Sequence, residues 1–236
     1  MIAVIVDTLT MALLMLFPIA LVVAVHNTMA FLLSNYVMRS NFSRGVYYAL
    51  GVVFIPIHEL SHALMCLVFR HKITDIRLVS FKGGLGGYVN HTWNPRSPYQ
   101  GLGLFFIAIA PLITAIVALL LGQSEGWVKL PEFNDLTAMG IINEIESLPV
   151  ITTLLFSSLC FYCVPSMQDF KNSTKSVLIN SIIIVLATYI VTYFNIIKQS
   201  DIDQFVTSTI SWSIVVSLFS MLFWLTLALI SSITKD

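Results

Sequence analysis

Charge is what this chain has least of. Asp, Glu, Lys and Arg make up only 10% of its 236 residues, and the 12 cations balance the 12 acidic groups. No basic stripe stands ready for a phosphate backbone, so nothing points to nucleic acid or to a strongly charged partner. Cysteine is scarce as well. The three cysteines, Cys66, Cys160 and Cys163, all lie in apolar stretches, which argues against a secreted disulfide framework and leaves no soluble zinc-ribbon spacing. The C-x-x-C at Cys160 and Cys163 reads as lipophilic packing on a helix rather than a redox pair. No basic segment precedes the first apolar run, so an uncleaved first span is expected rather than a signal peptide. Repeats, low-complexity tracts and a second domain are also absent from the sequence, which predicts a single polytopic membrane domain over residues 1–236.

Apolar residues are what the chain has in excess. It is 57% hydrophobic with a mean hydropathy of +0.89, outside the range of soluble domains. About six spans are legible: roughly Thr8 to Leu33, kinked at Pro18; Val46 to Phe69; Gly101 to Gly122, with Pro111 at mid-membrane; Val150 to Val164, too short for a simple crossing and broken at Pro165; Val177 to Ile196; and about Phe205 to Ile233. His26, alone in the first span, is expected to make an interhelical hydrogen bond. From Arg70 to Tyr99 the texture changes. ITDIRLVSF and YVNHTW alternate apolar with polar residues around the turn glycines of KGGLGG, the signature of a β-hairpin. The stretch Gln123 to Pro149 is an acidic extramembrane loop. The expected fold class is therefore an all-α integral membrane protein of about six transmembrane helices, with a small β-hairpin inserted after the second.

That second span carries the chemistry. His58, Glu59 and His62 spell H-E-x-x-H, which on a helix sets two imidazoles one turn apart on the same face, able to share one zinc ion, with Glu59 beside them as a general base. An ionisable side chain at mid-membrane costs about 2.5–3.5 kcal/mol on insertion scales, so three polar groups together call for a function. The plain structural alternative is an inward-facing His pair bonded to neighbouring helices.

A catalytic zinc keeps three protein ligands and an open position. Asp169 is the expected third, because it follows the break at Pro165 and falls at the same membrane face as the end of the H-E-x-x-H helix. His91 in the hairpin is the rival ligand. Asp169 has a bland reading too, as a cap or an ion pair with Lys171 or Lys175. The unpaired edge of so small a hairpin would lie near the site, suited to holding a substrate in extended form.

These motifs, in this order, resemble the site-2 protease class of intramembrane zinc metalloproteases, the M50-like peptidases. HELSHA at His58 to Ala63 looks like that family's metal helix, and the glycine-bearing hairpin is similar to its β-element. IAPLIT at Ile109 to Thr114 resembles its A-G-P-x-x-N span, with Ala110 in place of the glycine and Thr114 in place of the asparagine. PSMQD at Pro165 to Asp169 occupies the place of its third-ligand motif, with Phe170 where a glycine is usual. The resemblance covers roughly Val46 to Ser176. It implies one zinc per chain held by His58, His62 and Asp169, Glu59 as base, and a membrane-protein or peptide substrate cut within or beside the bilayer. It leaves the oxyanion-stabilising group unassigned, with Asn90, His91 and Asn94 as candidate substrate or oxyanion contacts.

With six spans, one face of the membrane carries Arg70, Lys72, Arg77, Lys82, Arg96, Lys171, Lys175 and Lys235, and the other only Arg39, Arg44, Lys129 and Lys198. The positive-inside rule makes the first face cytoplasmic, so the site is expected to open toward the cytoplasm with both termini there. Against the peptidase stands a non-catalytic binding or scaffold protein of the same fold with a structural metal. A small-solute transporter is weaker, since no inverted repeat of broken helices is present.

Overall fold

The computed structural model describes residues 2–81, 84–127, 149–180, 186, 190, 194 and 199–234. Helix α1 spans Ile2–Val37 and α2 Asn41–Val68; strands β1 (Lys72–Ser80) and β2 (Gly86–Thr92) follow; then come α3 (Pro98–Ser124), α4 (Val150–Tyr162), α5 (Met167–Ile179) and α6 (Gln199–Ile233). Four stretches, Leu16–Val37, Asn41–Val68, Pro98–Ser124 and Thr207–Ile233, are long and apolar enough to cross a membrane. A fifth exists if α4 and α5, bent by 59° at their junction, count as one broken span. Most of the expected span at Val177 to Ile196 lies outside the described residues, and so does most of the acidic loop, at 128–148.

Local sequence explains where these helices start and stop. Ser40 caps α2 by accepting from the Ser43 N–H at 3.3 Å, and Ser97 caps α3 ahead of Pro98, whose missing N–H costs nothing in the first turn. The end of α2 is a Schellman turn. His71 N–H donates to the Cys66 carbonyl at 2.8 Å and Arg70 N–H to that of Leu67 at 3.1 Å, with Arg70 in the left-handed region at φ 56°. A non-glycine residue there costs about 1–2 kcal/mol, and the turn it makes aims the chain directly into β1.

Helix α2 inverts the pattern of a soluble amphipathic helix. Its polar residues are inside, with Glu59 6% and His62 7% exposed, while Leu60, Leu64 and Leu67 face outward. Such an arrangement suits a lipid surround, where the apolar face needs no protein cover.

Helix α6 packs along α1 and α4, and α3 packs against α2 and α5. The core joins Val22 of α1, Leu119 of α3, Phe161 of α4 and Val216, Phe219, Phe223 and Leu227 of α6. Small hydroxyls tie α6 to its neighbours: Ser43 donates to the Leu227 carbonyl at 3.0 Å and Ser231 to that of Tyr36 at 2.9 Å. His26 makes the interhelical contact expected of it, with Nδ1 3.3 Å from Ser220 Oγ.

The hairpin pairs β1 with β2 in antiparallel register, Arg77 opposite Tyr88 and Lys72 opposite Thr92. Tyr88 donates to Asp75 at 2.8 Å, and the Arg77 guanidinium lies 5.9 Å from the Tyr88 ring centroid. Among the described residues this sheet has two strands, so each keeps an unpaired edge.

Candidate metal centre

One turn of α2 sets the His58 and His62 imidazoles side by side, their ring centroids 4.8 Å apart. Each ring is fixed by a main-chain carbonyl. His58 Nδ1 lies 2.8 Å from the Tyr162 oxygen and His62 Nδ1 2.6 Å from the Ile107 oxygen. A carbonyl only accepts, so both Nδ1 atoms carry a proton, and in the neutral rings both Nε2 atoms present lone pairs. Helix physics frees those carbonyls. Pro111 has no N–H to offer Ile107 four residues earlier, and Tyr162 is the last residue of α4, where carbonyls lack helical partners and Pro165 follows.

The two Nε2 atoms face each other at 3.1 Å, and His62 Nε2 lies 3.7 Å from Asp169 Oδ1. Two lone pairs and a carboxylate oxygen converging in this way repel one another unless a proton or a metal cation sits among them. Donors on a tetrahedral zinc lie about 3.3 Å apart, as follows from bond lengths of about 2.0–2.1 Å, close to the 3.1 Å and 3.7 Å separations here. His58, His62 and Asp169 all offer ligand atoms within 4.8 Å of one another, and this trio could hold a metal ion.

Asp169 reaches the site by way of the helix break. Ser166 is the N-cap of α5 and closes a capping box: its N–H and hydroxyl both donate to Asp169 Oδ2, at 2.8 and 2.6 Å, while its oxygen accepts from the Asp169 N–H at 3.2 Å. One carboxylate oxygen is thereby occupied and the other is left facing His62. The cap and the site contact, which as sequence readings compete, occur together in a single side chain.

Glu59 is buried beside the pair and makes no hydrogen bond among the described residues. Strand β2 lies directly over it: a Cβ built on Gly87 would come 2.6 Å from Glu59 Cγ and 2.8 Å from the Arg77 carbonyl, so only glycine fits there. Two cavities meet at this point. One, of about 620 Å³, is walled by His62, Asn90, His91, Asp169, Asn172 and Lys175; the other, of about 500 Å³, runs past the hairpin tip toward His26, Ser34, Tyr47 and Trp224. His58, Glu59, Gly87 and Ser166 line both.

Of the candidate substrate contacts, Asn90 and His91 line the larger cavity. Asn94 does not. Its side chain accepts from the Arg96 N–H at 3.0 Å and shapes the turn before α3. Sequence reasoning passed over His71, which is buried behind His91 with the two Nδ1 atoms 2.9 Å apart. Burial and the neighbouring His71 and His62 rings push His91 down to about 4, so it is neutral at pH 7.

Fold and centre together define a class: a mostly helical protein with four or five membrane-length apolar helices around a largely buried His–His–Asp cluster that could hold a metal ion. No family model, curated protein or solved structure matches the chain.

Proposed function

We propose that this protein is an intramembrane zinc endopeptidase that cuts a transmembrane or membrane-proximal segment of another protein. The observation that carries the reading is the pair of Nε2 lone pairs at 3.1 Å, completed by Asp169, with an otherwise unpartnered Glu59 on the same cavity wall. A zinc ion in such a site supplies Lewis acidity, polarising a carbonyl and acidifying water. His58, His62 and Asp169 would hold it. Glu59 takes the proton from the attacking water and returns it to the leaving nitrogen, for which a carboxylate free of other hydrogen bonds is suited. The unpaired edge of β2 compensates a substrate segment for the helical hydrogen bonds it gives up on unwinding. The eight-to-four division of Lys and Arg supports a cavity opening toward the cytoplasm, with both termini on that side.

Glu59→Gln tests this function. Glutamine keeps shape and hydrogen bonding but cannot take a proton at neutral pH, so zinc stays bound while cleavage of co-expressed single-span reporters falls about 10²–10⁴-fold. Uncut reporter co-purifies with the variant more strongly than with the parent. If Glu59→Gln keeps both zinc and full cleavage, the peptidase is refuted and a binding protein with a structural metal takes its place.

A further inference from the structure

We infer that His71 fixes the tautomer of His91, so that His91 Nε2 gives the larger cavity a hydrogen-bond acceptor that selects substrates bearing a side-chain N–H or O–H about four residues from the cut bond. The inference rests on the peptidase reading and adds a specificity residue and its positioning partner to it.

The chain of hydrogen bonds has one consistent direction. His71 Nε2 lies 2.8 Å from the Gln100 carbonyl, which only accepts, so Nε2 carries the His71 proton. His71 is 4% exposed, and burial holds its pKa below the ordinary histidine value, so it carries one proton and not two at neutral pH. Its Nδ1 is then a lone pair, and His91 Nδ1, 2.9 Å away, must be the donor. His91 Nε2 is left unprotonated. It has no hydrogen-bond partner among the described residues, and its ring lines the cavity that holds the metal trio.

The surroundings hold His71 in place. The Schellman turn at Arg70 delivers it, Gln100 Nε2 donates to the Arg70 carbonyl at 3.0 Å, and Trp93 stacks on the ring at 13°. Gly103 of α3 leaves the room: a Cβ there would meet Phe69 Cβ at 2.5 Å and His71 Nε2 at 3.0 Å.

Distance along β2 supplies the substrate position. Residues 87, 89 and 91 share one face of the strand, with Gly87 against Glu59 at one end and His91 at the other. Four residues of strand span about 13 Å. An extended substrate paired alongside β2, with its scissile bond at Glu59, therefore brings a residue about four positions away to His91. A neutral hydrogen bond gained there is worth about three- to tenfold in discrimination.

The test uses the full chain in lipid bilayers and single-span reporters identical except for Ser or Leu at each of six positions on either side of the cut bond. The parent is expected to favour Ser over Leu about fivefold in kcat/KM four positions away and nowhere else. His91→Phe and His71→Phe bring that ratio to about one, and His71→Asn, whose Oδ1 can accept from His91 Nδ1, restores it. Nitrogen-15 imidazole spectra of the metal-free protein are expected to find the His91 proton on Nδ1 in the parent and redistributed in His71→Phe. A ratio unmoved by His91→Phe, or a His91 proton on Nε2 in the parent, overturns the inference. Failure of the zinc-loaded parent to cut any reporter instead refutes the peptidase and with it the substrate role, while the spectra still decide what His71 does to His91.

Discussion

Replacing Pro111 with alanine should move stability and metal affinity in opposite directions. Proline leaves the Ile107 carbonyl without its helical donor, and His62 Nδ1 donates to it instead at 2.6 Å. Pro111→Ala returns the missing N–H and about 3 kcal/mol of helix propensity. The proline is fully buried, so the loss of two ring carbons takes back roughly 1.6 kcal/mol. The metal-free protein should therefore gain about 1–2 kcal/mol. The carbonyl, drawn back into the helical ladder, then holds His62 less firmly, and loss of such an orienting partner lowers metal affinity about 10–100-fold. Both quantities can be read on one preparation, unfolding in mixed micelles without metal and zinc affinity by competition with a chromophoric chelator. Gly45→Ala is the control: outside its own helical turn nothing lies within 4 Å of the added Cβ, so it should gain about 0.5–1 kcal/mol with zinc affinity unchanged. If Pro111→Ala binds zinc as tightly as the parent, the freed Ile107 carbonyl does not orient His62.

On the peptidase proposal, Gly87→Ala should leave zinc bound but lower cleavage about 100-fold, because its Cβ would stand 0.8 Å inside the 3.4 Å at which ordinary contact with Glu59 begins, and displacements near 1 Å have that effect on a positioned catalytic group. Parent-like turnover would mean that β2 does not press on the base. For topology, Thr74→Cys should resist and Glu125→Cys should accept a membrane-impermeant maleimide in intact cells. The native Cys66, Cys160 and Cys163 are fully buried and should stay silent, and the reverse labelling pattern would turn the site to the other face.

The parts of the centre that announce themselves in sequence are those whose geometry is local. A step of four residues from His58 to His62 is about one helical turn wherever that helix lies, and strand alternation around glycines predicts the β1–β2 hairpin without reference to its neighbours. Asp169 was reachable because a proline break and a carboxylate stand together. His71 was not, since its meaning depends on a left-handed Arg70 that no glycine flags and on a carbonyl 29 residues away. The carbonyls of Ile107 and Tyr162 are main-chain atoms with no signature of their own. Their trace was nonetheless present in Pro111, four residues after Ile107, a position that marks an unpaired acceptor. Gly87 likewise left a signal, a glycine inside a strand, which implies that something approaches closely without saying what.

One carboxylate begins helix α5 and also faces the histidine pair of the candidate metal centre. Asp169 Oδ2 nucleates the first turn through Ser166, while Oδ1 turns to His62, so the order of that turn and the hold on an ion draw on the same rotamer. Linkage makes the coupling reciprocal: a cation that fixes the rotamer lowers the entropy cost of the turn, and whatever steadies the turn tightens the cation by the same factor. Helix α5 exposes Lys171 and Leu178 on its outer side. A contact there, made with no ligand atom, would act on a cation held by the trio as an effector acts on an allosteric site, through the elbow between α4 and α5.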